Sequence, residues 1–167
     1  MAKITNDTTI TFSYKNEEMF NDVSLLSAYM TKNLAGDKGS MMDEFTITDD
    51  EKDVYEVCVK QALPSIYESM LKISFGVTDA FGVVEVEGGK HIQFSILNND
   101  AYNSNVLSLV DATLNTCIKY GILAEFYSVC ANGELFSMAQ NKFLESLAQL
   151  KQRLFQLKKK AIAPLPY

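Results

Sequence analysis

Val129-Cys130-Ala131-Asn132-Gly133-Glu134-Leu135 is the stretch that decides how the second half of this chain is read. Apolar residues recur at helical spacing on both sides of it. Upstream stand Val106, Leu107, Val110, Leu114, Cys117, Ile118, Ile122, Phe126 and Val129. Downstream, Phe143, Leu147, Leu150, Leu154 and Leu157 alternate spacings of four and three, the seam of a helix that packs on one or more partners. Asn132-Gly133 is a turn signal between the two runs. The segment from about Ala101 to Lys160 therefore reads as two long helices joined by one turn. Gly121 interrupts the first of them, and a glycine costs a helix about 1 kcal/mol against alanine, so it marks close approach of another backbone. Leu144, Ala148 and Phe155 widen the seam of the second. After Lys158-Lys159-Lys160 comes Ala161 to Tyr167, where Pro164 and Pro166 stop any helix.

Toward the N-terminus the period changes from helical to two. Ile10, Phe12 and Tyr14 alternate with Thr9, Thr11 and Ser13, which predicts a half-buried strand. Asn16 then caps a helix carrying Met19, Phe20, Val23, Leu26 and Met30, which Gly36 ends. Gly36 to Met42 reads as a loop. Thr48-Asp49-Asp50-Glu51 has the spacing of a capping box, so a helix runs from there to about Lys72, with Pro64 expected to kink or split it. Gly88-Gly89 between Val83–Glu87 and Lys90–Ile96 is a hairpin signal that sets Glu87 opposite Lys90. Ile73 to Val77 is a candidate fourth strand. The fold class is then α+β: a small antiparallel sheet with a hairpin, packed with several helices including the long C-terminal helical hairpin. Residues 1–160 form a single domain and 161–167 an extended C-terminal tail.

At 167 residues the chain fits one domain, and its 47% apolar composition is ordinary. A net charge of −6 argues against sequence-independent nucleic-acid binding over the whole surface. The single arginine, Arg153, argues against a phosphate reader, but it flanks the helical seam where a salt bridge fits. Charge is unevenly placed. Asp43, Glu44, Asp49, Asp50, Glu51 and Asp53 cluster around one base, Lys52. From Lys142 onward there are six bases and one acid. One reading is a solvated helix face; the other is a complementary pair of patches meeting between subunits. The three cysteines, Cys58, Cys117 and Cys130, are odd in number, form no CxxC and fall on apolar faces, which suits a reducing compartment. No signal peptide or membrane span is expected.

Chemistry finds little footing. The lone histidine, His91, is tied to no nucleophile or zinc partner by any motif, and reads as a packing or surface residue. The acidic cluster lacks calcium-loop spacing. Gly82, Gly88 and Gly89 sit around a hairpin rather than between strand and helix, so they cradle no phosphate. Tyr120, Phe126 and Tyr127 read as core, with a subunit interface as the other possibility. No catalytic residue, metal or cofactor is expected.

One resemblance remains. The strand Ile92-Gln93-Phe94-Ser95-Ile96-Leu97 leads through an Asn/Asp-rich link into a helix ending Ile118-Lys119-Tyr120-Gly121-Ile122-Leu123-Ala124-Glu125-Phe126-Tyr127. A turn follows, then a helix with Leu147, Leu150, Lys151, Arg153 and Leu154, then a basic, proline-containing end. Over about its last 75 residues the chain resembles small virion structural proteins of tailed phages and prophages. It departs from them in having Lys where Arg dominates and Phe126 where Trp is common. The resemblance implies a non-enzymatic subunit at the head–tail joint: a connector, adaptor or tail-completion ring, assembled in the host cytoplasm and resident in the virion. Its implied partners are further copies of itself and portal, connector or tail subunits, with no membrane and no sequence-specific nucleic acid. The expected interface comprises Asp43, Glu44, Asp49 and Asp50 on the acidic side. On the other are Phe143, Leu147, Leu150, Arg153, Leu154, Lys158, Lys159, Lys160 and Tyr167. The alternative is a non-enzymatic cytoplasmic protein-binding or regulatory domain.

Overall fold

Alternation along one short strand starts the sheet. The computed structural model describes residues 2–6, 9–35, 45–71, 77–97 and 104–158. In it β1 (Ala2–Asn6) and β2 (Thr9–Lys15) lead into α1 (Asn16–Ala35). A 3-10 turn, Asp49–Glu51, opens directly into α2 (Lys52–Leu71). Strands β3 (Val77–Val86) and β4 (Gly89–Leu97) follow, then α3 (Ser104–Val129) and α4 (Gly133–Lys158). The fold is α+β. All pairings in the sheet are antiparallel and its order is β1-β2-β4-β3. The fourth strand is thus Ala2–Asn6, on the edge beside β2; residues 72–76, where a strand was expected to begin, lie outside the described residues. Loop 36–42 and tail 161–167 lie outside them too.

Register separates the two faces of the sheet. Ile10 pairs with Ile96, Phe12 with Phe94 and Tyr14 with Ile92, and all six are buried. Helices α1 and α2 cover this face: the Phe81 ring of β3 stacks on Tyr67 of α2 at 3.9 Å, and Phe20 of α1 meets Tyr55 of α2 edge-on at 5.1 Å. The opposite face carries Thr11, Ser13, His91, Gln93 and Ser95. Strand periodicity is what sends polar and apolar residues to opposite sides.

The helical hairpin packs on α2 and α1 rather than on the sheet alone. A Cβ built at Gly121 would lie 3.1 Å from the Phe143 ring and 3.3 Å from the Ala62 Cβ, so the glycine is where α2, α3 and α4 come closest. Asn105–Val129 is long and apolar enough to cross a membrane, but it is the central helix here, with Leu114, Cys117, Ile118, Ile122, Leu123 and Tyr127 all buried.

Four expectations need correction. The hairpin turn sits one residue earlier: Val86 pairs with Gly89 and Glu85, not Glu87, faces Lys90. Among the turn residues, positive φ falls at Gly88, not Glu87, the sign pattern of a type II turn, and Gly89 at φ 118° belongs to β4. Lys90 reaches instead to Glu56 of α2 at 3.1 Å. Pro64 does not split α2. It lies on the exposed face together with Lys60, whose carbonyl loses its helical partner where water can replace it. The joint between α3 and α4 is Cys130–Asn132, and the residue in the left-handed region is Ala131, at φ 54°. Asn132 N–H donates to the Tyr127 carbonyl and Ala131 N–H to that of Ser128, the paired bonds of a Schellman end. Asn132 then caps α4, its Oδ1 accepting the Leu135 N–H at 3.0 Å, and Gly133 is simply the first helical residue.

The capping box at Thr48 is as its spacing predicts, with the Thr48 N–H donating to the Glu51 carboxylate at 2.8 Å. The stretch before it is held in a way the sequence did not signal. Ser24 Oγ donates to the Ile47 carbonyl at 2.6 Å, Ile47 N–H donates to Ser27 Oγ, and Thr31 Oγ1 reaches the Phe45 carbonyl. Three hydroxyls of α1 thus pin Phe45–Ile47 along the helix and bury Ile47.

Candidate functional site

The expected interface falls into three parts. Phe143, Leu147, Leu150, Leu154 and Leu157 are buried, because α3 fills the seam from within the same chain. They hold the fold and offer nothing to a neighbour, which removes Phe143, Leu147, Leu150 and Leu154 from any surface. Arg153 is half-buried and donates to Gln156 at 3.0 Å rather than to an acid. Asp49, Asp50 and Asp53 are exposed at the start of α2, where the helix dipole favours them. Glu51 accepts from the Thr48 side, and that hydrogen bond holds its carboxyl below the usual range. Asp43, Glu44, Lys159, Lys160 and Tyr167 lie outside the described residues, as does the side chain of Lys158, the last residue of α4. The expected meeting of the two charged segments thus lies outside the described residues.

What α4 does show a neighbour is the row beside the seam. Leu144 is 51% exposed and Phe155 56%, with exposed Ala148 between them at helical spacing. A separate row lies on α1, where Leu25 is 72% and Tyr29 64% exposed, one turn apart. The sequence contained both rows. It gave no means of telling which apolar stripe of α4 the chain would use itself.

A large groove lined by described residues lies at the far end of β2. Among the described residues strand β1 pairs with β2 from Asn6 opposite Thr9 to Ala2 opposite Phe12. Beyond that point Ser13, Tyr14 and Lys15 border a groove of about 1150 Å³ whose other wall is α3, through Ser108, Asp111 and Asn115. Glu18 and Asp22 of α1 close one side and Glu87 the rim. Two ion pairs sit on it: Lys15 with Glu18 at 3.0 Å and Lys119 with Asp22 at 2.7 Å. Tyr14 is buried at the groove's edge, and its hydroxyl donates to Asp111 Oδ1 at 2.8 Å. Burial, and then the Asp111 carboxylate, push that hydroxyl far above its ordinary range.

The polar sheet face forms the floor. Ser13 Oγ lies 2.8 Å from His91 Nδ1, and Gln93 Nε2 donates to Ser13 Oγ at 3.2 Å. This Ser–His contact was invisible in the sequence, because the two residues are 78 apart and diagonal in the register. A nucleophile–base pair also wants a group that orients the second ring nitrogen. His91 Nε2 is buried with no hydrogen-bond partner among the described residues, so none of them orients the ring from that side. The contact reads as part of a hydrogen-bonded sheet face that also includes Thr11 with Ser95 at 3.0 Å. Among the described residues no group of three or more His, Cys, Asp or Glu side chains is placed to hold a metal ion. Cys58 and Cys117 are free and buried, and burial raises their thiols to about 11 and about 12.

Comparison with protein-family models, curated proteins and solved structures finds no match to this chain.

Proposed function

We propose that this chain is a non-catalytic structural subunit that acts by assembling with copies of itself, and that its setting is the head–tail joint of a tailed-phage virion. The setting rests on the sequence resemblance. The mode of action rests on one observation: after α3 has filled the seam of α4, Leu144 and Phe155 still stand exposed beside it, while α1 exposes Leu25 and Tyr29. A head-to-tail ring needs two unlike surfaces on each subunit. Exposed aromatic and leucine side chains are the kind that anchor such contacts. Portal, connector or tail subunits are the proposed further partners, and the basic end of the chain steers docking rather than supplying affinity.

The test is the mass in solution. The full chain should run as a multiple of 18.7 kDa. Leu144→Glu combined with Phe155→Glu should return it to a folded monomer, since neither residue belongs to the buried seam. A wild-type chain that stays monomeric at every concentration tested, or a double variant that assembles as well as the parent, overturns the reading.

A further inference from the structure

The outward rows of α1 and α4 share a spacing. On α1, Asp22, Leu25 and Tyr29 are exposed in steps of three and four. On α4, read from its C-terminal end, Lys151, Ala148 and Leu144 follow the same steps. Residues three and four apart share one face of a helix, so each row is continuous. Laid antiparallel, the two rows meet rung by rung. Leu25 falls on Ala148, the small residue between Leu144 and Phe155, where a ridge has room to enter. Tyr29 falls on Leu144. Phe155 falls one turn further on, against the exposed Lys15–Glu18 pair, where a ring face attracts the ammonium.

Charge selects the same arrangement. Among the described residues no carboxylate pairs with half-buried Lys151. The matching rung on α1 is Asp22. It already holds Lys119 at 2.7 Å, yet its side chain is 49% exposed, and a carboxylate accepts at both oxygens. Parallel registers that cover both Leu25 and Tyr29 set Lys151 against Lys32 or Leu25 instead.

Direction agrees as well. Asp22 pairs with Lys119 and Tyr127 donates to the Ser27 carbonyl, so α1 runs with α3. Phe143 opposes Gly121, so α4 runs against α3. Within one subunit α1 and α4 therefore point opposite ways. An antiparallel union of α4 with the α1 of the next copy leaves every α1 pointing the same way, as rotation about a single ring axis does. A parallel union would turn each copy over.

We infer that α4 of one copy receives α1 of the next, antiparallel, with Leu25 seated at Ala148, Tyr29 against Leu144 and Asp22 on Lys151. This rests on the self-assembly reading above and adds which surface meets which, and in which direction.

The experiment uses full chains carrying Cys130→Ser, since Cys58 and Cys117 are buried. Leu25→Cys protein is mixed with Ala148→Cys protein and oxidised with copper–phenanthroline. The expected product is a disulfide-linked dimer with one chain of each kind, and little from either variant alone. Tyr29→Cys with Leu144→Cys should behave alike. Tyr29→Cys with Gln152→Cys, the pair a parallel union would favour, should yield about tenfold less, because a disulfide needs its Cα atoms within about 7 Å. Lys151→Glu should weaken self-association about tenfold at low salt and less at high salt. Linkage of a variant to itself, a higher yield from the Gln152 pair, or an affinity indifferent to Lys151→Glu overturns the inference. Mass measured on the same samples separates the two readings. An assembled protein that forms neither expected link sinks this pairing alone; a monomer at every concentration sinks both.

Discussion

In the α3–α4 hairpin the seam is dry from Phe143 to Leu157, whereas in the sheet only every second residue is dry. Across β2 and β4 the row Ile10, Phe12, Phe94 and Ile96 is packed under helices. One residue over, Ser13 bonds to His91 and Gln93, and Thr11 to Ser95, beside an open groove. The hairpin spends its apolar surface on itself and relegates contact with others to a secondary row. On β2 and β4 the sheet keeps one face polar and hydrogen-bonded, through Thr11, Ser13, His91, Gln93 and Ser95. A region's value to a partner therefore lies in what the fold leaves over, and the strongest sequence pattern in the chain marks the part already used.

The sharpest test of that contrast is Leu150→Ala. With Leu150 fully buried, the loss should be about 2–5 kcal/mol in chemical denaturation. A loss under about 0.5 kcal/mol would mean the seam is not dry and would erase the difference between hairpin and sheet.

Alkaline pH probes the same dryness. The Cys117 thiol is raised to about 12, chiefly by burial. An acid whose pKa is raised by folding favours the folded state's neutral form, so stability is intact below the unfolded value of about 8.5 and falls as pH climbs from there toward 12. At pH 10 this one thiol should cost about 2 kcal/mol, and Cys117→Ser, measured against wild type over pH 7–10, should flatten the slope.

Gly121→Ala tests how tightly the hairpin meets α2. Helix propensity favours alanine by about 1 kcal/mol, yet the new methyl would sit 3.1 Å from Phe143 and 3.3 Å from Ala62. Overpacking should win, with a net loss of about 1–2 kcal/mol that Phe143→Leu partly relieves. Net stabilisation would show the three helices to be looser than described.

The turn of the hairpin holds a correctable strain. Ala131→Gly should raise stability by about 1 kcal/mol, because φ 54° suits glycine and not alanine. Smallest is the effect expected on the sheet's wet face. Ser13→Ala removes the partner of His91 Nδ1 and should cost about 1 kcal/mol or less, since the site borders the groove and water can replace the hydroxyl. A cost comparable to that of Leu150→Ala would show this face to be as dry as the other.

Periodicity made most of the fold legible. The period-two run at Thr9–Lys15, the Thr48–Glu51 box and the leucine seam are local signals, and each produced its element. The edge strand Ala2–Asn6 was missed because five residues paired on one side carry little alternation to read. The hairpin slipped by one because two adjacent glycines are equally able to adopt positive φ, and only the pairing of Val86 with Gly89 decides between them. The candidate surfaces were less legible. A sequence shows that α4 has apolar residues on a wide arc but not how much of that arc α3 will cover. The Ser13–His91 contact in the groove joins residues that only the register of distant strands brings together.

That register also sets an order of events. The β2–β4 ladder joins Thr9 to Leu97 and Lys15 to His91, so α1, α2 and β3 are all enclosed between its two strands. The α3–α4 hairpin and the β3–β4 hairpin close across a few residues each. Contacts close in sequence form sooner than distant ones, because less chain entropy is lost before they are rewarded. The two hairpins should therefore appear first in refolding, and the sheet's central pair last. On a ribosome the first fifteen residues would wait, unpaired with β4, until Leu97 had emerged. The groove beside β2, walled by both β2 and α3, would then come into being only at the final step.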